Sequence, residues 1–221
     1  MPQETLGGKS LALPARGVSS IARVTLDLPI RTERLLLRLY TEDDLGDVYD
    51  IQSRPDVARY LYWGVRDHAQ ARGSLAMKIA ASGLREEGDN LTLAVVLPET
   101  GKVIGDVLLI WVSRDHRQGE IGYIFHPDFG GRGYATEAAE VVLRLGFEAY
   151  GLHRVIGRLD ARNTASARVL ERLGMRREAH LVQNEMVKGE WTDEVVYAML
   201  EDEWRARAAQ AEGPVEGTIG R

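Results

Sequence analysis

Three closely spaced glycines, Gly130, Gly131 and Gly133, form the part of this chain best suited to chemistry. They follow a strand-like run, Glu120–Phe125, and lead into a helical pattern over Glu137–Tyr150. Backbone N–H groups at the start of a helix attract anions, because the helix dipole is positive there and glycine adds no side chain that would block approach. The order of strand, glycine loop and helix therefore predicts a seat for a pyrophosphate.

Three kinds of phosphate-binding loop compete for this stretch. A Walker loop needs Lys and then Ser or Thr after its last glycine, whereas Gly133 is followed by Tyr134. A dinucleotide fingerprint needs a third, later glycine and a parallel βαβ unit, but Tyr134-Ala135-Thr136 contains no glycine and the preceding strands are predicted to be antiparallel. The third pattern, Q/R-x-x-G-x-G/A, fits Gly130–Ala135 at every position except the first.

Composition narrows the class of protein. The 221 residues are 44% hydrophobic and 28% charged, which suits one globular domain. A net charge of −5 without a dense basic run argues against a nucleic-acid partner. The chain has no cysteine, which excludes disulfides, thiolate metal sites and a cysteine nucleophile. The apolar runs are far shorter than a membrane span and no secretory block begins the chain, so we expect a cytoplasmic protein without a membrane or metal requirement.

Periodicity, caps and turns predict the element order β-α-α-β-β-β-α-β-α-β-β. We expect one domain over residues 29–207, between flexible tails at residues 1–28 and 208–221. The fold class is α/β, in a three-layer α+β arrangement with a mixed, mostly antiparallel sheet of about seven strands flanked by about four helices. The predicted segments include strands at Leu35–Leu39, Leu91–Leu97, Val103–Val112, Gln118–His126 and Arg154–Asp160, a closing hairpin around Lys188–Glu190, and helices ending near Gln52, spanning His68–Glu86, and running from Asn163 to Gly174.

Four motifs in order resemble one enzyme superfamily. The segment from Ile121 to Ala138 looks like the acetyl-CoA loop of the GNAT N-acetyltransferases. The block Asn163–Met175 resembles the N-x-x-S-x-x-V-L-E-K-L-G-F block of their RimJ/RimL branch, and Arg31–Arg38 and Gly189–Asp193 resemble its opening and ending. The resemblance covers about residues 29–205. It implies a V-shaped splay between the strand before the glycine loop and the strand after the helix.

The resemblance also implies which residues hold acetyl-CoA, the expected cosubstrate. The diphosphate would lie on the loop, and the pantetheine arm would follow the backbone of the preceding strand, with Asn163 and Ser166 contributing from the second block. The implied cofactor-binding residues are Ile124, Phe125, Gly130, Gly131, Arg132, Gly133, Tyr134, Ala135, Thr136, Asn163 and Ser166. Gly130 replaces the usual Gln or Arg, so a side chain that would brace the loop is missing.

Acetyl transfer to an amine needs a neutral amine, a stabilised oxyanion and a proton for the departing thiolate. The resemblance implies direct attack without an acyl-enzyme. Many relatives place a tyrosine proton donor where this chain has Leu170, so Ser166 is the candidate donor. Glu120 is the preferred base, acting through a water, and His126 is the second candidate.

Each of these side chains also has a structural interpretation. Asn163 could only cap a helix, Glu120 could only form an ion pair, and His126 could only begin a turn. Arg132 could be a solvated loop charge. The aromatic residues Tyr60, Tyr62 and Trp63 would by default pack in the core, with an acceptor pocket as the alternative.

The acceptor could be a protein N-terminus, a polyamine or an aminoglycoside-like amine, and the family resemblance is compatible with a homodimer. A non-catalytic acyl-CoA-binding module, regulatory or partner-binding, is the alternative from another functional class. It is motivated by Leu170 and Gly130, the two departures from the family pattern.

Overall fold

The computed structural model describes residues 24–212. Eight strands form one sheet in this part of the chain: β1 (Ile30–Arg31), β2 (Leu36–Arg38), β3 (Asn90–Val96), β4 (Val103–Ser113), β5 (Gln118–Phe125), β6 (Arg154–Asp160), β7 (Arg176–Val187) and β8 (Glu190–Leu200). The α-helices described are α1 (Leu45–Gln52), α2 (Pro55–Ala58), α3 (His68–Ala80), α4 (Tyr134–Arg144), α5 (Thr164–Arg172) and α6 (Glu201–Glu212). Short 3₁₀ turns cover Glu42–Asp44 and Pro127–Phe129, and a π-helical turn, Leu145–Ala149, extends α4.

The strand order is β1-β2-β3-β4-β5-β6-β8-β7. Every described pairing is antiparallel except that of β5 with β6, which α4 connects. This confirms the expected mixed, mostly antiparallel sheet. Lys188 and Gly189 close the predicted β7–β8 hairpin, both with positive φ angles, as a tight two-residue hairpin turn requires.

The sheet is the middle of three layers. Along β3, Leu91, Leu93 and Val95 belong to a core cluster shared with α4 and α5, whereas Ala94 and Val96 belong to a cluster shared with α1 and α3. Successive strand residues face opposite sides, so the alternation places helices on both faces.

The predicted splay lies between β5 and β6. These strands pair only from Gln118 to Glu120 and from Arg154 to Ile156. Beyond those residues the two strands have no pairing with each other, although β5 remains paired with β4 and β6 with β8. The sheet therefore opens into a gap on the side of β5 that leads to the glycine loop.

Strand and helix numbers exceed the expected seven and four. The additional elements are two-residue β1, four-residue α2 and α6, which are too short or too weakly amphipathic for periodicity to reveal. The helix expected over 68–86 ends at Ala80, because Ser82 leaves the helical path to form a β-bridge with Leu91.

The described core extends past the expected domain limits. Val24, Leu26 and Leu28 pack against the larger core cluster. Near the other end, α6 continues to Glu212, and buried Trp204 stacks on Phe147 with 5.7 Å between ring centroids. The rest of both predicted tails lies outside the described residues. Within residues 24–212, no helix is long and apolar enough to cross a membrane.

Candidate active site

The glycine loop joins β5 to α4 at the open end of the gap. After the Pro127–Phe129 turn, Gly131 has φ +73° and Gly133 has φ +83°. Both angles lie in the left-handed region that favours glycine. Gly133 directly precedes the first residue of α4, so the loop directs the helix N-terminus toward the space beside β5.

The amide groups of this loop are available for binding. Within residues 24–212, the N–H groups of Gly131 through Thr136 have no backbone acceptor. The first turn of α4 is closed by Glu137 N–H, which donates to Gly133 O at 3.0 Å. Six consecutive donors at the positive end of a helix suit an anion such as a diphosphate.

Gly130, where the family pattern has Gln or Arg, occupies a confined position. Its N–H donates to Pro127 O at 2.8 Å. A Cβ atom at Gly130 would lie 2.9 Å from the same carbonyl oxygen. Any side chain would therefore require the backbone to shift, and the local turn explains why glycine stands here.

A cavity of about 610 Å³ lies between the loop, β5, α2 and α5. Its walls include most of the residues expected to bind the cosubstrate, namely Ile124, Phe125, Gly130, Gly131, Gly133, Tyr134, Ala135, Thr136, Asn163 and Ser166. This volume is within the range of pockets that bind small molecules. The free amides, the left-handed glycines and the cavity together fit the diphosphate and pantetheine of coenzyme A.

The edge of β5 supplies further backbone groups to the gap. His126 N–H donates to Ile104 O at 2.8 Å, and hydrogen-bonded positions alternate along an antiparallel ladder. Ile124 accordingly directs its backbone polar groups to β4, whereas Tyr123 and Phe125 direct theirs into the gap. The structure thus favours Phe125 and Tyr123 over Ile124 as backbone partners of a pantetheine arm, with the Ile124 side chain in the cavity wall.

The start of α5 forms the opposite wall of the cavity. Asn163 caps the helix by accepting a hydrogen bond from Ser166 N–H at 3.1 Å. The Tyr123 hydroxyl donates to Ser166 O at 2.8 Å and so connects β5 to α5. Burial raises the pKa of Tyr123 to about 12, so the phenol stays protonated near neutral pH.

Glu120 lies at the vertex of the gap, on the sheet face away from α4. The adjacent Ile121 packs into the α4 cluster, so Glu120 faces the other side. Its Oε2 accepts from Arg158 Nε at 3.0 Å, and Arg158 Nη1 lies 3.5 Å from Glu194 Oε1. Burial raises the pKa of Glu194. The carboxylate of Glu120 is thus an ion-pair partner located beside the opening, and it is not a cavity-lining group.

The structure does not bring His126 into the cavity wall. Its side chain is only 3% exposed. Nδ1 accepts from Asp128 N–H at 3.2 Å, so the neutral ring carries its hydrogen on Nε2, which lies 3.3 Å from Asp50 Oδ2. Both ring nitrogens are occupied, and the side chain therefore stabilises the turn before the loop.

Arg132 likewise lies outside the cavity wall. Its carbonyl oxygen accepts from Arg34 Nη1 at 2.9 Å, and its guanidinium carbon lies 5.9 Å from the Phe129 ring centroid. The contribution of Arg132 to the loop is therefore made by its backbone.

Several cavity residues did not stand out in the sequence. Arg168 and Arg172 line the cavity from α5, and Arg172 Nε donates to Thr136 Oγ1 at 3.2 Å. Their spacing of four residues places both on one helix face, which was a usable signal. Asp56, Val57 and Leu61 line it from α2 and the segment that follows, which had no recognisable pattern.

The three aromatic residues before α3 are not part of the core clusters. Tyr60 lines the cavity. Tyr62 is 67% exposed and donates to Glu185 Oε2 at 2.5 Å, and Arg66 stacks over Trp63 at 4.3 Å. The default expectation of core packing was wrong for this group.

Comparison with known proteins agrees with this geometry. The family model described as "Acetyltransferase (GNAT) domain" matches residues 34–176. The uncharacterized N-acetyltransferase YnaD of Bacillus subtilis (strain 168) is 34% identical over 176 residues, which are 79% of this chain and 98% of that protein. A crystal structure of a GNAT-family acetyltransferase from Bacillus anthracis has a TM-score of 0.71 at 33% identity, covering 79% of this chain and 99% of that one.

A more distant relative has a named substrate. Spermidine N(1)-acetyltransferase of Escherichia coli (strain K12) is 24% identical over 106 residues, which are 48% of this chain and 57% of that protein. The family model and the extensive match to YnaD decide the assignment. This chain belongs to the GNAT acetyltransferase family and is an acetyl-CoA-dependent N-acetyltransferase.

Proposed function

We propose that this enzyme transfers the acetyl group of acetyl-CoA to the primary amine of a small molecule, by direct attack and without an acyl-enzyme. The observation that carries the proposal is the row of amides from Gly131 to Thr136, which have no backbone acceptor within residues 24–212, at the mouth of a cavity that continues into the β5–β6 gap. The absence of cysteine from the whole sequence removes the most reactive nucleophile for a covalent route.

The loop would hold the diphosphate through its backbone. The turn is shaped by Gly130 and Arg132. Backbone amides are presented by Gly131, Gly133, Tyr134, Ala135 and Thr136. Positive charge from α5 is added by Arg168 and Arg172. Phe125 and Tyr123 would bond the pantetheine arm along β5, with Ile124 packing against it. Asn163 would keep the first turn of α5 in place through its bond to Ser166.

Acetyl-CoA supplies an activated acetyl thioester. A backbone N–H of β5 in the gap would polarise the carbonyl oxygen, and one such donor is worth roughly 3 kcal/mol to an oxyanion. The amine lone pair forms the new C–N bond and the C–S bond breaks. The proton lost by the amine goes to a base, and the thiolate receives one from a donor.

We assign Glu120 as the base, acting through a water. One carboxylate oxygen of Glu120 is held by Arg158, which leaves Oε1 to accept from that water. Ser166 is the proposed proton donor to the thiolate, because it lines the cavity on the α5 side of the gap. His126 is not retained as a base, since its ring nitrogens are occupied by Asp128 and Asp50.

The acceptor class rests on the spermidine-acetylating relative, which favours a small polyamine-like substrate. A protein N-terminus, as for the RimJ/RimL branch, is the alternative acceptor. The non-catalytic alternative is set aside, because the relatives that decide the family are acetyltransferases.

Release of coenzyme A in the presence of amine panels tests the proposal. The chain has no cysteine, so a thiol reagent detects only the product thiol. We expect amine-dependent release with polyamines or other small amines, and mass spectrometry should find one added acetyl group. Release with peptides alone would move the assignment to a protein N-terminus, and no release with any amine would contradict the proposal.

Glu120→Gln tests the base. The variant should lower kcat at least tenfold, because the proton acceptor is gone. Glu178→Gln is the matched control. Glu178 also pairs with an arginine of β6, Arg154, just as Glu120 pairs with Arg158 of that strand. Equal kcat in Glu120→Gln and the wild type would exclude Glu120 as the base.

A further inference from the structure

The carboxylate of Glu137, in the first turn of α4, is the centre of a hydrogen-bond network that joins the glycine loop to the β1–β2 connection. Its Oε1 accepts from the Thr32 hydroxyl at 2.6 Å and from Arg34 N–H at 2.9 Å. Its Oε2 accepts from Arg34 Nε at 2.8 Å and lies 2.6 Å from Arg34 Nη2. Both carboxylate oxygens are thus bound by residues about a hundred positions earlier in the chain.

The same arginine also contacts the loop itself. Arg34 Nη1 donates to the carbonyl oxygen of Arg132 at 2.9 Å, and its guanidinium carbon lies 4.8 Å from the centroid of the Tyr134 ring. Arg34 Nη2 is also the atom nearest to the place where a Cβ on Gly133 would lie, at 3.4 Å. One side chain therefore contacts Arg132 and Tyr134 of the loop and Glu137 of the helix that follows, and it lies beside Gly133.

The loop needs such a support because its own sequence provides little. Its glycines lose more conformational freedom on ordering than other residues do. Gly130, where relatives carry a longer side chain, cannot accept one without displacing Pro127 O. Donors that are already fixed in the binding geometry avoid an ordering cost when an anion arrives.

Charge adds a second reason for the pairing. Glu137 is 16% exposed and lies next to the amides that face the anion. Burial alone would raise the pKa of Glu137, but the hydrogen bonds from Thr32 and Arg34 outweigh it and lower that pKa. Glu137 is therefore ionised at neutral pH, and Arg34 offsets a negative charge that would otherwise repel a phosphate.

We propose that Arg34 is a positioning residue for acetyl-CoA: it holds the diphosphate loop in its binding shape and neutralises Glu137. The inference rests on the proposed function, in which the amides of Gly131–Thr136 bind the diphosphate. Arg34 acts through the loop. It therefore affects the binding of acetyl donors that carry a diphosphate and leaves the chemical step unchanged.

The test compares acetyl-CoA with S-acetylpantetheine, which has the same thioester and arm but no diphosphate. Arg34→Ala should raise the Kd and KM for acetyl-CoA at least tenfold, with kcat at saturation within twofold of the wild type. Its kcat/KM for S-acetylpantetheine should stay within twofold. Arg34→Lys should recover only part of the loss, because an ammonium keeps a positive charge beside Glu137 but cannot reproduce the separate bonds from Nε, Nη1 and Nη2.

A second variant isolates the charge effect. Arg34→Ala leaves Glu137 uncompensated, so adding Glu137→Gln to it should recover at least threefold of the lost acetyl-CoA affinity. Arg176→Ala is the matched control, since Arg176 also binds two carboxylates, Glu178 and Glu203, away from the loop. Arg176→Ala should leave kcat/KM unchanged for both acetyl-CoA and S-acetylpantetheine.

The outcomes separate the inference from the proposed function. Unchanged acetyl-CoA affinity in Arg34→Ala, or an equal loss with S-acetylpantetheine, would overturn the positioning role while the proposed function stands. Equal use of both donors by the wild-type enzyme would instead remove the diphosphate from this loop, and the inference would fall with it.

Discussion

Replacing Gly133 by valine should weaken acetyl-CoA binding strongly while the protein still folds. Gly133 has φ +83°, immediately before α4, where its backbone faces the proposed diphosphate. In the described part of the chain, the one atom that a Cβ there would meet is Arg34 Nη2, at 3.4 Å, which is the movable end of a long side chain. The main local cost is therefore left-handed backbone strain, about 1–3 kcal/mol.

The loss in binding follows from the amides. A hydrogen bond to a charged group contributes about 1.5–3 kcal/mol. If the variant loses one close phosphate contact worth about 2 kcal/mol, the Kd for acetyl-CoA rises roughly 30-fold. Isothermal titration of acetyl-CoA into Gly133→Val and into the wild type measures this directly.

Gly88→Val is the matched control for backbone strain. Gly88 has φ +93°, no atom of the described residues 24–212 lies within 4 Å of the place where its Cβ would be, and it does not line the cavity. The two variants should lose similar thermal stability, but only Gly133→Val should lose affinity. Equal affinity of Gly133→Val and wild type would refute the argument that close backbone approach at residue 133 binds the cosubstrate.

Three further predictions concern the surroundings of the site. Leu170→Tyr should not supply a proton donor and should destabilise the fold by about 1–3 kcal/mol in urea unfolding, because Leu170 is 1% exposed and packs directly on Gly157. Tyr123→Phe should raise the KM for acetyl-CoA severalfold, since it removes the hydroxyl that bonds Ser166 O; an unchanged KM would contradict this. Burial alone would raise the pKa of Asp44, but hydrogen bonds from its arginine and backbone partners lower it, so its stabilisation is present above about pH 4 and is lost as pH falls through the lowered value. Between pH 7 and pH 3, the free energy of unfolding measured in urea should accordingly fall more for the wild type than for Asp44→Asn. Equal decreases would contradict a lowered pKa of Asp44.

The sequence was informative where structure is local. The glycine loop, the cap at Asn163 and the Lys188–Gly189 turn depend on a few adjacent residues whose backbone preferences are strong, and all three lie where expected. The separation of β5 from β6 came from family resemblance, since neither strand's own pattern encodes where its pairing stops.

Features that depend on distant contacts could not be read from the sequence. The spacing of Glu140, Arg144 and Glu148 is typical of ion pairs along one helix, yet Glu140 pairs with Arg207 and Glu148 accepts from Trp204 Nε1. Both partners come from α6, which periodicity did not reveal. A weak surface pair is easily replaced when another element supplies a better-placed donor.

The same limit applied to the candidate site. His126 next to a glycine loop is a reasonable candidate base, but its burial and its contact with Asp50 arise only when α1 packs against β4, the strand beside β5. Arg34 and Glu137 are 103 positions apart, so their pairing has no signature in local spacing.

Backbone amide NMR on the ¹⁵N-labelled enzyme tests the central claim most directly. Titration with coenzyme A should shift the amide resonances of Gly131–Thr136 more than any other contiguous group, whereas pantetheine should shift the β5 amides of Tyr123 and Phe125 and leave the loop largely unchanged. If coenzyme A leaves the amide resonances of the loop unshifted and shifts those of another segment instead, the diphosphate does not bind at the N-terminus of α4.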